Sequence, residues 1–501
     1  MNRRIKLLLL VTLLFAGFTP FINVKPALSA DIVITISTGV QTTTTLTDMV
    51  LDFNTNVASG FTVELKESTW ETQNQHDTYV TKLAAKDSSL DIISMDVIWP
   101  PEFTAAGWLE PLDDIFAETG FGKDLFLEAP ILAGTYKGKQ YGLPWFHDSA
   151  GLYYRADILQ YAFENGIIPA NRAPETWVEL RDWTRWMLAN DTLVTTFEGT
   201  DSILTGFVWQ GREYEGMICN FMEYLGGTGQ YSFLDANDKP IWNTTEARET
   251  LEFMKSLITE VNITKTHADG RMVRTSPEAV LTYQEETSRA VWNAENAIFH
   301  RNWPYAYRLS MDQPYLNGSE GWTGVTGKGT NKTFGFAPMP AKDSTVTAPR
   351  TSCLGGWQLG LNIYSEHKAE AKIFMKWLTN TDQQRTYLMG GGQLPTRKAL
   401  YSDSAVLADA NVKYIAELYD VFTAALPRPV HPDYPAMSKA IWPALHTYLA
   451  GGYTLNEGTA KLKIAVEDVL EAGAPAGIPE LVLLALFASG TLVILRKKRR
   501  I

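Results

Sequence analysis

Apolar residues in this chain fall into short β-branched runs, stripes at helical spacing, and two unbroken stretches near the ends. The short runs predict strands. Asp31-Ile-Val-Ile-Thr-Ile-Ser37 is β-branched through its middle, Phe61 to Lys66 alternates apolar with polar, and Asp91-Ile-Ile-Ser-Met-Asp96 is brief and apolar. Between them, Leu46 to Asn56 and Tyr79 to Lys86 read as helices. Further on, Ser365 stands at an N-cap position, and Ala369, Ile373, Phe374, Trp377 and Leu378 make one apolar stripe in a helix running to Thr379. Strands alternating with helices predict an α/β fold with largely parallel sheets. A body of about 445 residues is too long for one core, which predicts two lobes.

The unbroken stretches predict something else. Arg3, Arg4 and Lys6 precede the apolar run Leu7 to Phe15, and Ala27-Leu28-Ser29 supplies small residues at a cleavage spacing, so residues 1–30 read as a signal peptide. The run Ile478 to Leu495 reaches across a hydrocarbon core of about 30 Å at about 1.5 Å per residue. Five cations, Arg496 to Arg500, follow it and belong on the cytoplasmic side. The expected order is therefore a signal peptide (1–30), an exported body (31–472), a linker (473–477), a transmembrane anchor (478–495) and a basic tail (496–501). This arrangement places the body at the cell surface, tied to the membrane by a C-terminal helix.

Charge narrows the partners. The chain has 44 Lys and Arg against 56 Asp and Glu, and nine of the cations but only one acid lie in the two end segments. The body thus carries a net charge near −20, which repels nucleic acid and anionic lipid. Two cysteines, Cys219 and Cys353, exclude a disulfide scaffold and a Cys-based zinc site, and sequence leaves open whether they pair. There is no phosphate loop, no His-Glu-x-x-His and no Gly-x-Ser-x-Gly, and the seven histidines lack metal-ligand spacing. No metal, cofactor or enzymatic activity is expected. Adjacent acids such as Asp113-Asp114 and Glu285-Glu286 read as solvated surface.

Aromatic residues beside short polar groups are the positive signal. A pyranose offers apolar faces rimmed by hydroxyls, so it is held by flat rings together with carboxylates and guanidinium groups. Asp96-Val-Ile-Trp99, Trp145-Phe-His-Asp148, Arg301-Asn-Trp303-Pro-Tyr305, Gly355-Gly-Trp357 and Pro427-Arg428-Pro429 all fit that description.

At these segments the chain resembles the extracellular solute-binding proteins of ABC sugar importers, most of all the trehalose/maltose-binding type. The stretches Met95 to Leu112, Tyr141 to Arg155 and Ala297 to Tyr305 carry the resemblance, with Gly355-Gly-Trp357 and Leu394-Pro-Thr-Arg397 adding to it. It implies two α/β lobes closing on a sugar, with lobe 1 at about 31–146 and 337–392 and lobe 2 at about 148–336 and 396–470. The chain would cross between lobes near 144–150, 335–340 and 393–397. By resemblance, Asp96 and Asp148 grip sugar hydroxyls, Trp303 and Trp357 stack on rings, Arg428 reaches hydroxyls, and Gly355 and Gly356 let backbone approach the ligand. The partners implied are a small carbohydrate and the membrane permease of an ABC transporter. Three positions depart from the type: the loop Gly39 to Thr45 lacks an acid, His76 stands for an arginine, and Phe146 stands for a tyrosine. A receptor of the same fold for a peptide or polyol, and a surface glycosidase, are the alternatives.

Overall fold

The β-branched run at the start of the body forms the strand Ile32–Thr38, paired in parallel with Phe61–Glu67 on one side and Ile92–Asp96 on the other. The structure is a computed structural model, and it describes residues 32–473 apart from 41–42, 70, 198–202, 267–271, 312–315, 319–331, 346–349, 410–411, 418 and 424. The segments expected as signal peptide (1–30), transmembrane anchor (478–495) and basic tail (496–501) lie outside the described residues, as does the expected linker beyond Gly473. Among the described residues, no helix is long and apolar enough to cross a membrane.

Helices connect these strands where the pattern places them. Thr45–Asp52 continues into a π-helical turn, Phe53–Val57, so the run expected over 46–56 is one rod. The next helix, Thr72–Ala84, begins seven residues before the expected Tyr79. Its first turns carry buried Gln75 and His76, which look polar in sequence but are satisfied internally: Gln75 bonds to Tyr79 and Ser94, and His76 to Glu102 and Asp77. The later helix runs Lys368–Leu378 and buries Ala371, Phe374, Met375 and Leu378, while Ile373 is exposed. Its N-cap is His367, and the Ser365 hydroxyl stands just ahead, donating to Asp91 and accepting from the His367 amide.

Two sheets carry the two lobes of this α/β fold. One has six strands in the order 394–395, 142–149, 354–361, 92–96, 32–38, 61–67, and the other has five in the order 316–318, 332–337, 151–155, 297–302, 205–208. Neither is largely parallel, contrary to the sequence expectation. The Leu354–Leu361 strand runs antiparallel to both its neighbours, and Gly151–Arg155 does the same in the other sheet. The reason is that these strands enter their sheets directly from the other lobe. Among the described residues, those connections hold no helical crossover of the kind that enforces parallel pairing.

The first crossing falls at the end of the expected range, and the second and third sit later in the chain than expected. The first is at Ala150, since Asp148 and Ser149 still pair within the six-stranded sheet. The second is near Ser352, because Ala341 bridges to Thr176 and the Lys342 amide donates to Gly227, both in the second lobe. The third lies beyond Asp403, which is still paired with Arg385 of the first lobe. The contacts of Ala341, Lys342, Arg350 and Thr351, and those of Arg397, Lys398 and Asp403, therefore assign these residues to the lobes opposite to those the boundaries 337 and 396 imply.

Candidate functional site

The strands of both sheets end at a cleft of about 450 Å³ between the lobes, and all seven residues singled out from sequence line it. Asp96 closes the Ile92–Asp96 strand, and Trp303 directly follows Ala297–Asn302. Strand ends are where an α/β sheet presents side chains to a ligand. The Leu354–Leu361 strand supplies the floor, with Gly355 opposite Asp148 and Trp357 opposite Asp96.

Both glycines have a steric reason. A Cβ on Gly355 would fall 2.9 Å from the Trp303 ring and 3.1 Å from the Asp148 Cβ, so glycine lets the indole lie against the strand. Gly356 has φ +108° and a Cβ there would meet the Phe146 carbonyl at 2.5 Å. The register shift at Trp357/Gln358 leaves Trp145 of the neighbouring strand without an opposite residue.

Trp303 is braced from three directions. The Arg301 guanidinium lies 4.3 Å from its ring centre, its Nε1 donates to Glu285 at 3.3 Å, and its amide donates to Asn302. Trp357 meets Trp99 edge-on at 5.6 Å. Two indoles are thus held in fixed orientations before any ligand arrives, which reduces the ordering cost of stacking on them.

The acids differ sharply from one another. Asp96 accepts from Arg428 Nη2 at 3.0 Å and from the Ile98 amide. Burial pushes its carboxyl up, with the Arg428 charge opposing. Asp148 has no such partner: its Oδ1 is buried without a hydrogen bond, and burial, reinforced by the Asp96 charge, lifts its pKa to about 8. Arg428 donates from Nη1 to Glu215 at 2.7 Å and from Nη2 to Asp96 and the Leu354 carbonyl, leaving Nε buried without a partner. Its guanidinium therefore joins a carboxylate of one lobe to a carboxylate of the other.

Several cleft residues escaped sequence reasoning. Glu215 accepts from Arg428, the Tyr434 hydroxyl and Ser438. The pair Glu285-Glu286, read as solvated surface, lines the cleft: Glu285 accepts from the Tyr214 hydroxyl at 2.7 Å, and Glu286 from the Tyr305 hydroxyl at 2.6 Å. Tyr214-Glu215 carries the same signal of a ring beside a charged group that marked the other segments, and Tyr305 belongs to the segment Arg301 to Tyr305 already singled out. At the rim, Arg212 of the second lobe reaches Glu71 of the first at 2.9 Å. His76 points elsewhere, into a buried pair with Glu102 at 2.7 Å beside Trp99 and Phe103. Phe146 and Gly39, two of the departures, do line the cleft. Among the described residues no cluster of His, Cys, Asp and Glu is arranged to hold a metal ion.

Comparisons with known proteins agree with this geometry. Residues 40–385 match the family of bacterial extracellular solute-binding proteins. A probable ABC transporter-binding protein of Deinococcus radiodurans is 31% identical over 373 residues, spanning 74% of this chain and 77% of that protein. The structure of T. maritima MalE3 with maltose bound superposes with a TM-score of 0.72 at 31% identity, covering 87% of this chain and 100% of the other. A solute-binding protein from Thermotoga lettingae, bound with alpha-D-tagatose, shares the fold with a TM-score of 0.67 at 24% identity over 87% of this chain and 98% of its own. A chain with two α/β lobes, an acid- and indole-lined cleft between them and these matches belongs to the bacterial extracellular solute-binding proteins, and is the solute-binding receptor of an ABC transporter.

Proposed function

We propose that this receptor captures a small neutral carbohydrate, a di- or oligosaccharide, by closing its lobes on it, and hands it unchanged to the membrane permease. The observation that carries the reading is the unpartnered Oδ1 of Asp148, buried in a cleft wall shared with Trp303 and Trp357. A buried carboxyl oxygen without a hydrogen bond costs roughly 1–3 kcal/mol, and a sugar hydroxyl stacked between the rings would remove that cost. The maltose bound by T. maritima MalE3, at 31% identity, supports the same ligand class.

Charge supports a neutral solute. Seven acids line the cleft (Glu71, Asp96, Asp148, Glu213, Glu215, Glu285, Glu286) against Arg212 and Arg428. Both arginines are already committed to carboxylates. A uronate or sugar phosphate would meet repulsion and no free cation. Further proposals are that residues 478–495 hold the body at the outer face of the membrane and that residues 1–30 direct its export.

The test is a melting screen against neutral mono-, di- and oligosaccharides, uronates, polyols and peptides. A ligand at 100 times its dissociation constant adds about 2.7 kcal/mol. Neutral saccharides should raise the melting temperature and be recovered intact, and Trp303→Ala should abolish the shift. A shift given only by polyols or peptides would leave the fold standing and refute the carbohydrate assignment.

A further inference from the structure

We infer that Cys219 and Cys353 close into a disulfide once the chain is outside the cell, and that this bond secures the link between Arg428 and Glu215 at the floor of the cleft. Cys219 lies on the helix Glu215–Gly226, where Glu223 and Gly226 follow at four and seven residues and so share its face. The segment leading into the Leu354–Leu361 strand runs along that face. Thr351 donates to the Glu223 carbonyl at 3.0 Å, and a Cβ on Gly226 would fall 2.6 Å from the Thr351 hydroxyl oxygen.

Two extended residues advance about 6.6 Å, close to the roughly 6 Å spanned by four helical residues. Side chains two apart on an extended segment point the same way. Cys353 therefore faces the helix one turn before Glu223, which is the position of Cys219. The Cys353 thiol donates to the Leu354 carbonyl at 3.6 Å, and both cysteines are buried in one core cluster of the second lobe.

The consequence follows from what flanks each cysteine. Four residues before Cys219, Glu215 accepts from Arg428. Beside Cys353, the Leu354 amide donates to the Leu426 carbonyl and the Leu426 amide to the Ser352 carbonyl, and Arg428 stands two residues further on. A covalent tie at 219–353 thus pins both ends of the Arg428–Glu215 contact. It also pins the root of the strand that carries Gly355, Gly356 and Trp357 into the site.

The chemistry needs an oxidant of the disulfide class, which extracellular compartments provide. One cysteine thiolate attacks that disulfide and expels one thiolate. The second cysteine then attacks the mixed disulfide and expels the other. Two protons leave the protein, two thiols are oxidised and one external disulfide is reduced.

The inference stands apart from the choice of ligand and is tested without one. Full-length chain exported by a bacterial host is denatured without reductant and alkylated, and its mass is measured. A monomer two mass units short, taking no alkyl groups, and a linked peptide pair carrying 219 and 353 are the expected results; two alkyl groups per chain, or a linked dimer, would overturn the disulfide. Hydrogen exchange at the Leu354 and Leu426 amides is then compared before and after reduction. Loss of protection is expected on reduction, and in C219A/C353A should reduction unfold the wild type. Unchanged protection in a folded, reduced protein would overturn the tie to the Arg428 segment.

Discussion

Arg301 and Arg428 are both buried arginines held by carboxylates, yet one works inside a lobe and the other between lobes. Arg301 forks onto Glu223 with both side chains fully buried, and its remaining Nη1 donates to Gln210 at 2.8 Å. Every one of these groups belongs to the second lobe, and the guanidinium face is spent on Trp303. Arg428 instead joins Asp96 of the first lobe to Glu215 of the second, with the two acids 14% and 17% exposed. The same side-chain chemistry thus builds a rigid platform in one place and a lobe-to-lobe connection in the other. What separates them is which elements the carboxylates come from. The first pair persists whatever the lobes do, and the second exists only when they are together.

Breaking each pair should separate these roles. The largest expected effect is Glu223→Gln, which leaves the Arg301 charge buried with an amide and should cost about 3–5 kcal/mol of stability, read as a lowered denaturation midpoint. Arg428→Met comes next. It should weaken saccharide binding by about 2–3 kcal/mol, roughly 30- to 150-fold by calorimetry, with a smaller change in the unfolding midpoint of the ligand-free protein. If the stability losses were equal and affinity unchanged, the contrast between platform and connection would fail.

A third carboxyl, Asp148, has no arginine and sharpens the comparison through pH. Its folded pKa of about 8 lies above the ordinary value of 3.8. The folded state therefore holds a proton that the unfolded chain releases, and the linked stability is full below about pH 4 and lost as pH rises towards 8. Asp148→Asn removes that dependence. The stability of the variant relative to wild type should climb between pH 4 and 8 and level off above, as followed by denaturant midpoints across that range. A flat difference would mean that Asp148 is solvated. The smallest effect should come from Arg212→Gln at the rim, where both partners are more than a third exposed. Binding should change by about 0.2–1 kcal/mol and the difference should shrink in salt.

Legibility from sequence varied with how local the cause was. The strand Ile32–Thr38 and the rod from Thr45 were readable because β-branching and apolar spacing act over a few residues. The Thr72–Ala84 helix was misjudged at its start because Gln75 and His76 are buried by partners distant in sequence, Ser94 and Glu102. The seven residues named from rings beside polar groups and from the family resemblance all line one cleft, but that reading could not separate Glu285-Glu286 from a solvated acid pair. That distinction depends on Tyr214, Tyr305 and Trp303 arriving from other elements.

The sequence by itself determined the alternation of strands and helices, the need for two cores, the acidic character of the body and the segments rich in ring and carboxylate. These follow from composition and short-range periodicity. Only the tertiary structure decided that the crossing strands run antiparallel, that the crossings fall at Ala150, near Ser352 and beyond Asp403, and that Arg428 is shared between Asp96 and Glu215 while Asp148 is left alone. The physical reason is that a charge or a strand edge is completed by a group far along the chain, and periodicity carries no information about which distant group that is.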